Sequence, residues 1–269
     1  MDKIKINNLE IFCNHGVYPE ENVLGQKFLV SAILYTNTRP AGLSDDLTQS
    51  INYGDICHFI EKYMKSHTFK LIETVAESLA KALLIETKKL EKLELEIKKP
   101  WAPIALPIED VSVCIERGWH TAYISLGSNL GNKEGYLNQA IQELGDNNDC
   151  LVTQVSSFLT TKPYGLTEQD DFLNGCLELK TLLTPEELLK RLNSIEHNAN
   201  RERLVHWGPR TLDLDIIFYD DIVYDSMNLT IPHIDMQNRI FVLEPLSQIA
   251  GYKRHPLLCA TVDQLRKLI

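Results

Sequence analysis

Residues 201–219 read RERLVHWGPRTLDLDIIFY, and the end of this stretch decides the fold of the second half of the chain. Apolar and polar residues alternate there, which predicts a β-strand over 212–219. Asp213 and Asp215 then project from one face of the strand, with their Cα atoms roughly 7 Å apart. The leucines beside them point the other way. We therefore expect this strand to pack a core on one side and to present two carboxylates on the other.

The segments before this strand complete a regular order. The sequence predicts strands at 121–126, 151–158 and 172–180 and helices at 134–144 and 185–198, with further helices near 239–249 and 261–268. Thr184, Pro185 and Glu187 predict a capping box at the start of the helix at 185. The order βαββαβ is typical of a ferredoxin-like domain.

The first half has a different order. Strand-like runs occupy 3–13 and 27–38, helical periodicity begins near 52 and again near 71, and two more alternating runs lie around 93–97 and 111–115. This predicts a ββααββ unit. We place one domain at 1–117 and the other at 120–269, in a chain of the α+β class.

Composition bounds the function. The chain has 269 residues, enough for two modest domains. Its net charge of −10 argues against a nucleic-acid-binding protein, and no apolar run is long enough for a membrane span or a signal peptide. Six scattered cysteines without a C-x-x-C motif indicate reduced thiols. We expect a cytoplasmic protein that binds neither nucleic acid nor membrane.

The carboxylate pair has cationic neighbours in sequence. An isolated D-x-D on a strand is more often a solvated surface, but here four arginines lie nearby: Arg201, Arg203, Arg210 and Arg239. Two carboxylates suit one or two Mg²⁺ ions, and guanidinium groups together with Mg²⁺ suit a triphosphate. No P-loop or G-x-G-x-x-G motif occurs, which excludes the P-loop, protein-kinase and Rossmann classes. The glycine-containing run at 127–131 has the spacing of a tight strand-to-helix turn.

The motifs WGPRTLDLDI, SLGSNLG and IPHIDMQNR resemble the 6-hydroxymethyl-7,8-dihydropterin pyrophosphokinase family over about residues 119–269. This resemblance implies transfer of the β,γ-pyrophosphoryl group of ATP to the pterin hydroxymethyl group, with release of AMP. It implies that Asp213 and Asp215 hold two Mg²⁺ ions and that Arg201 and Arg210 steady the charge that develops during in-line displacement.

The same resemblance implies two binding sets. It assigns ATP to Glu196, Arg203, Trp207, His233 and Arg239. It assigns the pterin to Thr161, Pro163, Tyr164, Phe172, Asn174 and Phe241. Two aromatic side chains can sandwich a flat heterocycle, and an asparagine can offer it both a donor and an acceptor. Without the motifs, these residues would be interpreted as core phenylalanines and a turn asparagine.

In the first half, HGVYPEENVLGQ, INYGD, LIETVAESLA and IKKPWAPI resemble dihydroneopterin aldolase across residues 1–117. The resemblance implies a tunnelling fold, a homo-oligomer assembled through this domain, and a retro-aldol cleavage that needs no metal or other cofactor. It implies that Glu73 anchors the pterin and that Lys99 takes part in proton transfer. Tyr53 would exchange a proton with the enol intermediate, and Glu21 would bind near the side-chain hydroxyls.

Together the two resemblances predict a bifunctional enzyme of folate biosynthesis, because the product of the first half is the acceptor of the second. Two alternatives stay open on the residues alone. In one, the chain is a pyrophosphokinase whose first half is only an oligomerisation scaffold. In the other, the second half is a Mg²⁺-dependent nucleotidyl transferase, which would release pyrophosphate instead of AMP.

Overall fold

The computed structural model describes residues 1–163, 169–199 and 210–269. These residues form two compact units, Met1–Trp119 and His120–Ile269. No helix in the described part is long and apolar enough to cross a bilayer.

The first unit is built on one antiparallel sheet. Its elements in chain order are β1 (Asp2–Cys13), α1 (Pro19–Leu24), β2 (Gln26–Thr36), α2 (Arg39–Ser44), α3 (Tyr53–Ser66), α4 (Ile72–Glu86), β3 (Lys92–Lys99) and β4 (Val111–Gly118). The strands lie in the order β1-β2-β3-β4, so the sheet follows the chain. The predicted ββααββ order is confirmed, with the short helices α1 and α2 added to it.

Strand β2 shows why this sheet packs as it does. Its residues alternate strictly between buried and half-buried, which puts Phe28, Val30 and Leu34 on one face. Helices α3 and α4 cover that face, and α4 contributes Leu79 and Leu83, both fully buried. The apolar residues recur at every second position in the strands and about every 3.6 positions in the helices, and the two sets pack into one core.

The second unit contains a larger sheet. Its elements are β5 (His120–Ser128), α5 (Lys133–Gly145), β6 (Cys150–Val155), β7 (Leu159–Thr161), β8 (Phe172–Thr181), α6 (Pro185–Asn198), β9 (Asp213–Tyr219), β10 (Tyr224–Asp225), β11 (Thr230–Ile231), α7 (Ile240–Ala250) and α8 (Val262–Arg266). The main sheet has the order β6-β8-β5-β9, with every neighbouring pair antiparallel. This is the order of the ferredoxin-like fold, so the predicted class is confirmed.

Both faces of the second sheet are used, but unequally. One face carries Ile124, Leu126 and Leu214 and packs on α5 and α6. On the other face, α7 and α8 cover a second core that includes Cys176 and Ile217. The polar positions of β5, β8 and β9 share this second face and lie beyond its core. The candidate site of the unit is this part of the sheet.

Five short elements escape the sequence pattern: α1, α2, β7, β10 and β11. The single-turn helix α1 was not predicted. The strand predicted at 151–158 ends at Val155, and β7 begins after a break in which Ser156 N donates to Cys176 O (2.9 Å). The two-residue strands β10 and β11 are too short to leave a periodic signal.

The predicted capping box of α6 is confirmed and gives a stability test. Thr184 Oγ1 accepts from Glu187 N (3.3 Å), and Glu187 Oε2 accepts from Thr184 N (2.8 Å). Thr184→Ala removes the first bond and should lower the free energy of unfolding by about 1 kcal/mol, whereas Thr184→Ser keeps the acceptor and should cost much less. Urea unfolding of the two variants measures the difference. Equal losses of unfolding free energy in the two variants would show that the hydrogen bond accepted by the Thr184 hydroxyl does not stabilise the helix.

Candidate active sites

A row of three residues forms the floor of the site in the second unit. In the strand register, Gly127 of β5 pairs with Asp213 of β9 on one side and with Asn174 of β8 on the other. A Cβ built on Gly127 would lie 3.1 Å from Asn174 Oδ1 and 3.9 Å from Asp213 Cβ, so all three positions point to the same face. The predicted metal residue and the predicted pterin residue thus lie two strand spacings apart, roughly 10 Å, with only a glycine between them.

The carboxylate pair has incomplete charge compensation. Asp213 forms an ion pair with Arg210. Burial, and then the charge of Asp213, raise the pKa of Asp215. The Asp215 side chain is 38% exposed, so solvent ions can reach it. A cation added between the two carboxylates would relieve this repulsion.

The composition of the pair fits Mg²⁺. In the described residues, no third carboxylate, histidine or cysteine joins the two aspartates in a group that could hold a metal. Mg²⁺ is commonly bound through one or two carboxylates, with water and substrate phosphates as its other ligands. The arrangement therefore suits an ion that arrives with a phosphorylated substrate.

A histidine and an arginine approach Asp215 from the loop before α7. His233 Nε2 lies 3.9 Å and Arg239 Nη1 lies 4.0 Å from Asp215 Oδ2. Arg239 is held from behind by Asp235, whose Oδ2 accepts from Nε at 2.9 Å. Burial lowers the pKa of His233, which favours a neutral imidazole. The predicted ATP residues His233 and Arg239 thus lie next to the predicted metal site.

The described pterin residues lie at the other end of the row. Asn174 is buried, and its Nδ2 donates to Thr161 Oγ1 at 2.8 Å. Thr161 pairs with Phe172 in the register of β7 and β8. Phe241, in the first turn of α7, is half-buried, and the Arg239 guanidinium lies 5.8 Å from its ring centre. Pro163 follows β7 by two positions.

Glu196, which the resemblance assigns to ATP, has a structural contact in the described residues. It lies in α6, is buried, and its Oε1 accepts from Leu214 N at 2.8 Å. Leu214 separates the two aspartates, so Glu196 fixes the backbone between them. Four other predicted site residues lie outside the described ranges: Tyr164, Arg201, Arg203 and Trp207.

The first unit holds a compact ion pair. Lys99 at the end of β3 places Nζ 2.5 Å from Glu21 Oε1, although 78 residues of chain separate them. Glu21 is 9% exposed and also accepts from Gln26 Nε2 (2.8 Å) and Tyr18 N (3.0 Å). Burial alone would raise the pKa of Glu21, but the bonds from Lys99, Tyr18 and Gln26 outweigh it and lower the pKa.

The backbone next to this pair requires a glycine. Gly16 has φ +158°, and a Cβ there would lie 2.3 Å from Glu21 Cδ. Beside it, His15 is fully buried, and its Nδ1 accepts from Phe69 N at 3.2 Å. Burial lowers the pKa of His15 to about 4, so the imidazole is neutral at pH 7. His15 and Gly16 are therefore structural supports of the Glu21 loop.

The other two predicted aldolase residues are not joined to this pair. Tyr53 begins α3 and is 65% exposed, and Glu73 lies exposed in the first turn of α4. Within the described residues, neither forms a hydrogen bond or an ion pair with Glu21 or Lys99. The structure thus brings together two of the four residues.

Gln26 is a site residue that the sequence pattern did not reveal. It is 6% exposed, and its Nε2 reaches both Glu21 Oε1 and His15 O (3.4 Å), while its Oε1 has no partner among the described residues. A polar residue at the start of a strand is ordinary in sequence. Only its burial beside Glu21 shows that it supports the site.

Each half of the chain matches the model of a known protein family. Residues 4–116 match the family model of dihydroneopterin aldolase. Residues 123–251 match the model of 7,8-dihydro-6-hydroxymethylpterin-pyrophosphokinase.

Individual relatives extend this result. The folic acid synthesis protein fol1 of Pneumocystis carinii is 32% identical over 272 residues, covering 95% of this chain and 36% of the relative. The 2-amino-4-hydroxy-6-hydroxymethyldihydropteridine pyrophosphokinase of Bacillus subtilis is 43% identical, covering 53% of this chain and 86% of the relative. The crystal structure of E. coli dihydroneopterin aldolase in complex with neopterin is 30% identical, covering 44% of this chain and all of that chain, with a TM-score of 0.40. The chain spans only 36 or 37% of several of the curated relatives that it matches.

The Gln26 contact makes a prediction about Glu21. Gln26→Leu removes the amide donor while keeping the volume, so the pKa of Glu21 should rise towards that of an ordinary glutamate. NMR titration of the Glu21 carboxyl carbon measures this shift. Asn22→Ala is the matched control, because Asn22 Nδ2 donates to Gly16 O and Tyr18 O in the same loop without touching Glu21. An unchanged titration in Gln26→Leu, or an equal shift in the control, would contradict the assignment.

Proposed function

This chain belongs to the 7,8-dihydro-6-hydroxymethylpterin-pyrophosphokinase family in its second part and matches the family model of dihydroneopterin aldolase in its first, and we propose that it catalyses both reactions in folate biosynthesis. The aldolase is assigned to residues 1–117 and the pyrophosphokinase to residues 120–269. The first reaction yields 6-hydroxymethyl-7,8-dihydropterin and glycolaldehyde. The second transfers pyrophosphate from ATP to that pterin and releases AMP.

The observation that carries the second activity is the row Asp213, Gly127 and Asn174. It places the carboxylate pair and an amide suited to a heterocycle on one face of the sheet, with only the glycine between Asp213 and Asn174. Asp213 and Asp215 would hold two Mg²⁺ ions, which would supply charge neutralisation for the phosphates. The pterin would lie over Asn174 and Thr161 between Phe172 and Phe241, so that its hydroxymethyl group points along the row towards the phosphates.

The protein's own cations complete this arrangement. Arg210 is fixed by Asp213, and Arg239 by Asp235, so both guanidinium groups are oriented before substrate arrives. Such preorganised charge stabilises the anionic transition state without reorganisation during the reaction. His233 and Arg239 would contact ATP beside Asp215. Glu196 would act through the Leu214 backbone. Outside the described residues, Arg203 and Trp207 would add contacts to ATP, Arg201 would steady the developing charge, and Tyr164 would contact the pterin.

For the first activity, the carrying observation is the Glu21–Lys99 pair. Retro-aldol cleavage breaks the bond between the first two carbons of the dihydroneopterin side chain. The hydroxyl of the second carbon loses its proton as glycolaldehyde forms, and the electron pair enters the conjugated ring. Lys99 would move these protons, and Glu21 would keep its ammonium group in place near the side-chain hydroxyls. Tyr53 would return a proton to the first carbon, and Glu73 would bind the pterin amide edge.

The separation of Tyr53 and Glu73 from Lys99 supports a homo-oligomer formed through the first unit. Its outer strands β1 and β4 each pair on one side only in the described part. Phe12 of β1 is exposed, and so is Trp101 in the connection between β3 and β4. A neighbouring copy would cover these edges and bring further side chains to the site. The six cysteines are free thiols, which supports a cytoplasmic location.

Separate variants test whether the two activities are independent. Asp215→Ala should lower AMP formation by several orders of magnitude and leave glycolaldehyde release unchanged, because it removes half of the metal site. EDTA should have the same selective effect. The assay supplies dihydroneopterin, ATP and Mg²⁺ and identifies every product. Loss of both activities in Asp215→Ala would contradict the assignment, and release of pyrophosphate instead of AMP would favour a nucleotidyl transferase.

A second pair of variants tests whether the first unit is catalytic. Lys99→Ala should slow single-turnover glycolaldehyde formation with little loss of pterin binding, while Glu73→Ala should mainly weaken binding. Pyrophosphoryl transfer to supplied hydroxymethyldihydropterin is the internal control and should persist in both. Gel filtration checks the assembly. A wild-type chain that releases no glycolaldehyde would favour the scaffold alternative, and normal cleavage in Lys99→Ala would remove Lys99 from the mechanism.

A further inference from the structure

The connection between β5 and α5 contains a buried polar residue to which neither activity assigns a role. Asn129 follows the last residue of β5 and is 0% exposed. It belongs to the glycine-containing run at 127–131, which the sequence predicts to be a tight turn and which lies in the motif SLGSNLG. A fully buried asparagine must have its amide satisfied, so its partners show what it holds.

The first partner of Asn129 is the backbone of Arg210. Asn129 N donates to Arg210 O (3.0 Å), and Asn129 Oδ1 accepts from Arg210 N (2.7 Å). The pair of bonds resembles one rung of an antiparallel ladder, with the side-chain oxygen in place of a carbonyl. It continues the pairing of β5 and β9 beyond Gly127 and Asp213. Asn129 therefore fixes the backbone of the arginine that pairs with Asp213.

The second partner is the segment that leads into the pterin strand. Asn129 Nδ2 donates to Gln169 Oε1 (3.1 Å) and to Asp170 O (3.3 Å). One residue further, Lys133 Nζ donates to Asp171 O at 2.6 Å. These bonds hold the chain just before Phe172, at the start of β8. The side-chain amide of Asn129 thus links Arg210, shortly before β9, to residues 169 and 170, shortly before β8.

We propose that Asn129 is a positioning residue for pyrophosphoryl transfer, which sets the phosphate end of the site relative to the pterin end. The inference rests on the proposed pyrophosphokinase activity. In-line displacement requires the attacking oxygen and the phosphorus within about 3–3.5 Å and aligned, and a misplacement of about 1 Å can cost about 100-fold in rate. Asn129 touches neither reacting group and acts through Arg210 and the 169–171 segment.

The chemistry of the site selects an asparagine. Arg210 N is a donor, whereas Gln169 Oε1 and Asp170 O are acceptors, so the side chain must accept on one side and donate on the other. An aspartate would satisfy Arg210 but would direct a carboxylate oxygen at two acceptors. Asn129→Asp therefore keeps the acceptor for Arg210 N and removes the donor to Gln169 and Asp170, while the side-chain volume stays nearly constant.

The test compares Asn129→Ala and Asn129→Asp with the wild-type chain. AMP formation is measured with supplied hydroxymethyldihydropterin and saturating MgATP, and the Kd values of the pterin and of a non-reacting ATP analogue are measured separately. Both variants should lose about 100-fold in kcat, while each Kd changes by less than about threefold. A structural defect alone would weaken binding and stability together and would not separate kcat from Kd.

Asn132→Ala is the matched control. Asn132 caps α5 in the same connection, where its Oδ1 accepts from Gly135 N at 3.1 Å, and it contacts neither Arg210 nor the 169–171 segment. It should lose stability but keep kcat within about twofold. A kcat near that of the wild type in Asn129→Asp would overturn the bridge, as would an equal loss in Asn132→Ala. A wild-type chain that forms no AMP would instead overturn the proposed function and this inference with it.

Discussion

Two like charges held on one strand face repel each other, and the second unit is organised around that repulsion. The alternation of β9 forces Asp213 and Asp215 to the same side, while the leucine between them is committed to the core of α5 and α6. Neither carboxylate can turn away without exposing that leucine. The neighbouring arginines therefore offset this repulsion only in part, and the proposed Mg²⁺ ions with the substrate phosphates would complete the compensation.

The first unit differs from the second in how the charge of its carboxylate is compensated. Its carboxylate at Glu21 is matched by the ammonium group of Lys99 and by two further donors, so the charges balance within the protein. In the proposed aldolase reaction, this pair would supply the group that moves the proton. The two units thus differ in that the proposed pyrophosphokinase site leaves charge for bound cations, whereas the Glu21–Lys99 pair is compensated by the protein itself.

Sequence periodicity was sufficient for the long elements but not for the short ones. The strands of both sheets and helices α3 to α7 follow from alternation, helical spacing and the Thr184 cap. Helix α1 does not, because six residues carry too little pattern. Its Glu21 is held by Lys99 and Gln26, which are contacts of the folded chain. The carboxylate pair was predictable from D-x-D, since a period of two fixes its direction. The roles of Gln26 and Asn129 were not, because both depend on burial that a single polar letter does not reveal.

The contact between Glu196 and Leu214 also bears on the edge of the sheet in the second unit. Strand β9 lies at the edge of its sheet, with a partner only on the β5 side in the described part. An exposed edge offers unpaired amide groups to any passing chain and so invites intermolecular β-pairing. The buried carboxylate of Glu196 accepts the hydrogen bond of one of these amides, Leu214 N. Another strand would have to displace this carboxylate before it could pair there. Glu196 therefore fixes the backbone between the aspartates and also makes one amide of this strand edge unavailable for pairing with another chain.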